Sequence, residues 1–384
     1  MNSKIKILLA DFNYPRRSPS PWATPTAIGR IATYLKQKID AKFEITLVKD
    51  PNQYLDLINH NSFQIAAFSN YIWNTHLSFS LAYHLKKLHE DCIIIFGGPE
   101  LPIDRELQEE YVRKYHFVDF FIEKEGEIPF TNLITCLDNN NLNIEKTKLE
   151  QIPSIRSLNE SNEFLTSPLA KRILEFDKIP SPFVGGLMDQ FIEKGFTPLI
   201  VTNRGCPFTC EFCGEGDSFF HKVRFHSMEY LEEEFEYIAY KMSQVNDHPF
   251  PDTMYFADSN TGMYKQDLEV YARFGKIQKK YGYPKSIGTS TGKNVKTRVI
   301  DAIKLLNGAV SLTASVQSTD PKVLKNIKRD NISLTSIVEA SQQTKEKGGS
   351  YSELILGLPG DSYEKHKKSI KDMIDSQIDS ISCG

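Results

Sequence analysis

Apolar residues fall along this chain in two textures. Lys6 to Ala10, Ile45 to Val48, Ile65 to Ser69, Cys92 to Phe96 and Val118 to Ile122 are short runs rich in β-branched or aromatic side chains. Runs of that kind suit strands covered on both faces. Between them apolar positions recur at helical spacing: Ile28, Ile31, Ala32 and Leu35, then Leu77, Leu81, Leu85 and Leu88, then a weaker stretch from Asp104 to Lys114. Alternation of strand and helix predicts a parallel sheet with helices on both faces, an α/β, Rossmann-like (flavodoxin-like) domain over residues 1–140.

The alternation returns in the second half. Leu199 to Asn203, Thr253 to Ala257, Ser286 to Thr289, Val310 to Val316, Glu353 to Gly357 and a last run near Ile378 to Ser382 read as strands. Tyr230, Leu231, Phe235, Ile238, Ala239 and Met242 form one helical stripe, with Glu232 to Glu234 on its solvated face. Six strand–helix repeats predict an open, partial (β/α)6 barrel over residues 191–384, with its chemistry at the carboxyl ends of the strands. From Leu137 to Phe176 the composition shifts to Asn, Glu, Lys and Ser, so residues 141–190 read as a connecting segment. Ile179-Pro180-Ser181-Pro182-Phe183 and Thr197-Pro198 lead into the second domain.

Charge and composition narrow the classes. With 46 basic against 49 acidic residues and a net charge of -3, the chain has no electrostatic footprint for nucleic acid. Asp11 cuts the apolar start far short of a signal-peptide core, and no run is long enough to span a bilayer. Six cysteines in 384 residues, three of them in one short loop, fit a reducing, cytoplasmic setting better than a disulfide framework.

That loop is Arg204-Gly205-Cys206-Pro207-Phe208-Thr209-Cys210-Glu211-Phe212-Cys213-Gly214. Three thiolates spaced C-x3-C-x2-C can hold three irons of a cubane cluster and leave the fourth open to a small molecule. A zinc site is the other reading, since clustered cysteines also bind zinc and His221 and His226 follow closely. Structural zinc usually takes its ligands from two separate knuckles, and the ferredoxin run has C-x2-C-x2-C with a further cysteine before proline; this loop has neither. Phe212 adds a flat apolar face beside the open position.

The motif C-x3-C-aromatic-x-C after an apolar run resembles the signature of the radical S-adenosylmethionine (SAM) enzymes. The resemblance implies a [4Fe-4S] cluster on Cys206, Cys210 and Cys213. SAM would be chelated at the open iron and cleaved by one electron to a hydrogen-abstracting 5'-deoxyadenosyl radical. Later strand ends support it. Asp258-Ser259-Asn260-Thr261-Gly262 is similar to the Asp-x-Asn-Phe-Gly of a cobalamin-dependent subgroup, with Thr261 in place of the aromatic. Thr291-Gly292-Lys293-Asn294 follows the third strand. Ser315-Val316-Gln317-Ser318 with Ile327-Lys328-Arg329, and Gly357-Leu358-Pro359-Gly360-Asp361, match the family's Gln-Ser and Gly-Leu-Pro-Gly elements. By this likeness Gly357 and Gly360 pass close to adenine, Ser315 and Gln317 bond SAM, Arg329 pairs with its carboxylate, and Asp258 and Asn260 point toward the pocket. An ordinary structural hydrogen bond stands beside each such role.

The ends of the first four listed strands but one carry polar or glycine-rich turns: Asn13 to Trp22, Ser69-Asn70-Tyr71-Ile72-Trp73-Asn74, Gly97-Gly98-Pro99-Glu100 and, after the fifth, Glu123-Lys124-Glu125-Gly126-Glu127. Paired glycines let a backbone approach a ligand, although Gly-Gly-Pro is also a common turn. Together these segments resemble the cobalamin-binding domain that precedes many radical SAM enzymes, implying that Ser69, Asn70, Gly97, Gly98, Glu125, Gly126 and Glu127 face cobalamin. The D-x-H-x-x-G motif that supplies a histidine below cobalt is absent; a flavin, or no ligand, is the other reading of the sheet.

The expectation is a cobalamin-dependent radical SAM enzyme that methylates an unactivated carbon or, less often, phosphorus. It would act on a small-molecule or peptide substrate, with an external electron donor such as flavodoxin or ferredoxin. Cyclisation or rearrangement by the same parts, and a non-catalytic cobalamin- or metal-binding sensor, are the alternatives. A methylthiotransferase is disfavoured, because only Cys92 and Cys136 precede the motif. The family commonly has a further C-terminal domain of about a hundred residues, so the stop near Cys383 suggests a fragment or a shortened member. Cys383 itself reads as an incidental cysteine.

Overall fold

The computed structural model describes residues 4–14, 22–39, 42–292, 296–310, 315–331 and 351–384. It divides into two compact units, Met1–Leu174 with Lys178–Met188, and Glu175–Asp177 with Asp189–Gly384.

The first unit runs β1 (Ile5–Ala10), α1 (Thr26–Lys38), β2 (Phe43–Val48), α2 (Pro51–His60), β3 (Ile65–Ser69), α3 (Thr75–Leu88), β4 (Ile93–Gly97), α4 (Arg105–Lys114), β5 (Phe120–Ile122), α5 (Glu127–Asn139), α6 (Ile144–Lys148), β6 (Ile155–Leu158) and β7 (Phe164–Thr166). Its sheet has the order β2-β1-β3-β4-β5-β6-β7, with β1 to β5 parallel. Connections reverse direction between β1 and β3, and in such sheets ligands lie beyond the strand ends at that reversal. One face of the sheet is lined by Leu8, Phe12, Phe68, Phe96 and Phe121, onto which Phe79 of α3 stacks at 4.1 Å from Phe96.

The structure differs from the sequence reading in several details, among them α5, which went unassigned. α2 went unassigned too; it starts with Asp50 accepting from Asn52 N and with Pro51 at its first turn, and fully buries only Tyr54 and Ile58. The leucine stripe of α3 is rotated: Ser78, Phe79, Ala82 and Leu85 are buried, whereas Leu88 is exposed. The stretch read as a connector supplies β6 and β7, which extend the sheet antiparallel from β5. There Arg156 is buried, pairs with Glu123, and donates to Gln108 and to the carbonyls of Ile155 and Ser167. Residues 178–188 pack back on α1, where Thr33 Oγ1 donates to Pro180 O at 2.8 Å.

The second unit contains α7 (Asp189–Ile192), β8 (Leu199–Ile200), β9 (Asn203–Arg204), β10 (Arg224–Phe225), α8 (Met228–Gln244), β11 (Thr253–Phe256), α9 (Asp267–Tyr281), β12 (Ser286–Gly288), α10 (Lys296–Leu305), α11 (Pro321–Asn326), β13 (Tyr351–Leu354), α12 (Tyr363–Asp375) and β14 (Ser380–Cys383). β8, β11 and β12 are parallel neighbours, as are β13 and β14. Parallel bridges join Ile287 to Val310 and Gln317 to Leu354. Of the expected strand Val310 to Val316, residues 311–314 lie outside the described residues, as do Lys293, Asn294 and part of the loop after β1, residues 15–21.

The expected first strand of this unit is split. After Ile200 the chain leaves the parallel sheet, and β9 pairs antiparallel with β10 immediately before the cysteines. α8 buries Leu231, Phe235, Ile238, Ala239 and Met242, and Phe235 stacks on Phe274 of α9 at 3.8 Å. Glu232 pairs with Arg273 at the surface, but Glu234, expected in solvent, is buried. Among the described residues no helix is long and apolar enough to cross a membrane.

Candidate active site

The cysteine loop is anchored at both ends by backbone. Cys206 N donates to Phe220 O at 3.0 Å, and Gly205 has φ +116, where a Cβ would lie 2.6 Å from that same oxygen. Only glycine suits both the conformation and the space. Farther on, Cys213 N donates to Cys210 O and Gly216 N to Cys213 O. A Cβ on Gly216 would sit 2.3 Å from Cys210 O, so the loop folds directly over this position.

All three cysteines are free thiols; Cys206 and Cys210 are buried and Cys213 partly so. A cubane takes its thiolates on separate irons. The donor set, three thiols of one loop, fits the cubane.

The segment after β11 holds this loop with three successive side chains. Asp258 Oδ1 accepts from Thr202 N at 2.8 Å and from Asn203 N at 3.3 Å, while its Oδ2 accepts from Thr202 Oγ1. Ser259 Oγ donates to Glu215, just past the cysteines. Asn260 Nδ2 donates to Cys206 Sγ at 3.3 Å. Asp258, expected to point into a pocket, is thus engaged by the chain entering the loop.

Arg329 lies on the other side. Its Nη1 is 3.9 Å from Cys210 Sγ, Nη2 donates to Ser315 O, and Nε donates to Asn331 Oδ1 at 2.9 Å. Burial pulls the guanidinium pKa down, against the opposing pull of Cys210. The same guanidinium sits 5.6 Å from the Phe212 ring centroid, and Phe212 packs against Val323, Ile327 and Leu358. Ser315 Oγ donates to Glu353 Oε2 at 2.8 Å. Gln317 is buried at φ +67; its main chain bonds Glu353 O and Ile355 N, and its side-chain Oε1 has no partner among the described residues. Gly357, at φ +78, has open space where a side chain would be. The last two suit a site that receives a ligand, and Arg329 has acceptors from the chain itself.

Sequence reasoning missed Asp267. Burial pushes its carboxyl up to about 7, partly offset by the Tyr264 backbone donor and reinforced by nearby Asp258. No periodic or motif signal marks it.

In the first unit the expected residues line the carboxyl edge of the sheet. Ser69 Oγ donates to Asp11 Oδ1, and Lys49 pairs with Asp11 Oδ2 at 3.0 Å, both buried. Asn70 bonds Tyr111 and Thr75. Gly97 has room, but a Cβ on Gly98, at φ +137, would lie 2.4 Å from Asn70 O, so the space at Gly98 is filled by the neighbouring main chain. Glu125 pairs with Arg172 at 3.3 Å, Gly126 caps α5, and Glu127 is buried in its first turn. Exposed Ile72 and Trp73 stand beside this edge, with Trp73 stacked on Tyr71 at 4.5 Å.

Fold and site together define an α/β protein with a cysteine-triad loop at the strand ends of a parallel sheet. Residues 200–373 match the Radical SAM superfamily. The chain is 29% identical over 368 residues to the cobalamin-dependent radical SAM methyltransferase TokK of Streptomyces tokunonensis, covering 92% of this chain and 51% of the relative. It is 29% identical over 326 residues to the 2-(S-pantetheinyl)-carbapenam-3-carboxylate methyltransferase of Streptantibioticus cattleyicolor, covering 81% and 45%. The chain therefore spans about half the length of these curated relatives. In fold it is similar to the radical SAM methyltransferase TsrM of Kitasatospora setae, solved with cobalamin and a [4Fe-4S] cluster: TM-score 0.73, 13% identity, 99% of this chain and 72% of that one.

Proposed function

We propose that the protein is a cobalamin-dependent radical SAM methyltransferase acting on an unactivated carbon. The observation that carries this reading is the triad of free cysteines on one clamped loop, inside the residues that match the superfamily. Residues 1–140 would be the cobalamin-binding part, and residues 191–384 the radical SAM core with a partial (β/α)6 barrel.

Cys206, Cys210 and Cys213 would hold the cluster, with Gln317 and Gly357 meeting SAM. Ser69, Asn70, Gly97 and Glu125 to Glu127 would form the cobalamin edge. When bound, SAM at a reduced cluster supplies the hydrogen-abstracting radical, and cobalamin supplies the methyl group. The chain contributes placement: the Asp258 clamp fixes the cysteine loop beforehand, and the orphaned Gln317 oxygen is a ready acceptor for a polar ligand group. A small-molecule substrate is favoured, in line with the pantetheinyl carbapenam named for one relative. A low-potential electron donor and a reducing, cytoplasmic setting complete the reading.

Anaerobic reconstitution tests it. The expected result is about four irons per chain, retained cobalamin, 5'-deoxyadenosine formation after reduction, and transfer of deuterated methyl from labelled SAM. Zinc in place of iron, or no SAM cleavage with the three cysteines intact, overturns the enzyme. Failure to retain cobalamin overturns only methyl transfer.

A further inference from the structure

We infer that Asn260 is a positioning residue that raises the electron affinity of the centre ligated by Cys206, through its side-chain N–H on that sulfur. The inference rests on the cluster reading above.

Asn260 is fully buried, and its Nδ2 lies 3.3 Å from Cys206 Sγ, itself 6% exposed. Hydrogen bonds to cluster sulfurs are a principal means by which proteins set reduction potential. One-electron reduction, with the electron coming from an external low-potential reductant, adds negative charge that is shared with the thiolate sulfurs. A donor aimed at one of those sulfurs stabilises the reduced form more than the oxidised form. In a water-poor site this difference is larger than it would be at the surface.

The three sulfurs are not equivalent in this respect. Cys206 meets a neutral amide, Cys210 faces the Arg329 guanidinium, and Cys213 is only partly buried. Asn260 is also held in place by its neighbours. Asp258 is tied to Thr202 and Asn203, Ser259 to Glu215, and Asn260 O accepts from Met263 N at 3.2 Å. The main chain at Asn260 is therefore held by contacts that need no bound cluster, and the side-chain amide is placed by that backbone and by its bond to Cys206.

The test is a mediated redox titration followed by electron paramagnetic resonance on reconstituted wild type, Asn260→Ala, Asn260→Asp and Ser259→Ala. Removing the donor in Asn260→Ala is expected to lower the ratio of reduced to oxidised cluster about three- to tenfold at fixed electrode potential, a tenfold change being 59 mV for one electron. Asn260→Asp, close in shape but adding negative charge, should shift it further in the same direction. Ser259→Ala breaks a loop contact without touching sulfur, and should reduce cluster loading while leaving the potential of the loaded fraction unchanged.

An unchanged potential in a loaded Asn260→Ala, or an equal shift in Ser259→Ala, overturns the inference. If neither Asn260 variant loads, wild type labelled with side-chain 15N asparagine decides. A nitrogen coupling to the reduced cluster in pulsed spectra supports the bond, and no coupling overturns it. Wild type that binds no cluster defeats the functional reading instead, so the two failures are distinguishable.

Discussion

His226 Nδ1 donates to Asp177 Oδ1 at 2.8 Å, fastening the segment Glu175–Asp177 onto the start of α8. The imidazole is stacked between Phe176 and Tyr230, at 4.1 and 3.8 Å. Ser227 N also donates to both carboxylate oxygens. Burial alone would raise the Asp177 carboxyl; these donors outweigh it and hold it down at about 2.

A depressed carboxyl contributes stability above its unfolded value of about 3.9, and that contribution is lost as pH falls toward the folded value. Asp177→Asn should therefore be less stable than wild type at pH 6, by about 1 kcal/mol at most because water screens the partly exposed side chain. The gap should close between about pH 5 and 2. Urea denaturation across that range measures it, and a gap independent of pH would count against the pair.

Asp267 has the opposite sign. Its folded value of about 7 lies above the unfolded one, so the folded chain binds the extra proton and loses stability as pH rises from about 4 through 7. Asp267→Asn should match wild type near pH 4 and exceed it at pH 8. Thermal melts at the two pH values decide, and a variant that is no better at pH 8 refutes the shift.

Gly216→Ala places a Cβ 2.3 Å from Cys210 O and must push the loop apart. The change is local to the cysteines, so we expect at least a severalfold loss of bound iron after reconstitution, with the helical circular dichroism kept. Iron analysis of matched preparations is the readout, and full loading would show that the loop yields easily.

Glu123→Ala leaves Arg156 buried without its ion-pair partner. Removal of one member of a buried pair costs about 3–5 kcal/mol, and here the loss should fall on β6 and β7. Hydrogen exchange is expected to rise first in Ile155–Leu158 and Phe164–Thr166; uniform exchange over the whole sheet would contradict this.

How much of this was legible in the chain depends on the range of each signal. β1 to β5 were readable because apolar runs such as Ile65 to Ser69 are covered on both faces, and α1 because Ile28, Ala32 and Leu35 repeat at helical spacing. β6 escaped because Arg156 and Ser157 are buried polar residues, with Arg156 satisfied by Gln108 and Glu123, both distant in sequence, so the segment looked like a surface connector. α2 escaped because its buried face is only Tyr54 and Ile58.

The sequence by itself determined the succession β1 to β5, the three cysteines and their spacing, since these depend on local apolar runs and on a motif contained in one loop. Only the tertiary structure decided that Asp258 clamps the entry to that loop, that Asn260 reaches Cys206 across 54 residues, and that Arg329 faces Cys210 across 119. Such contacts arise where separate strand ends converge, and no local pattern records which distant side chain will fill the space beside a sulfur.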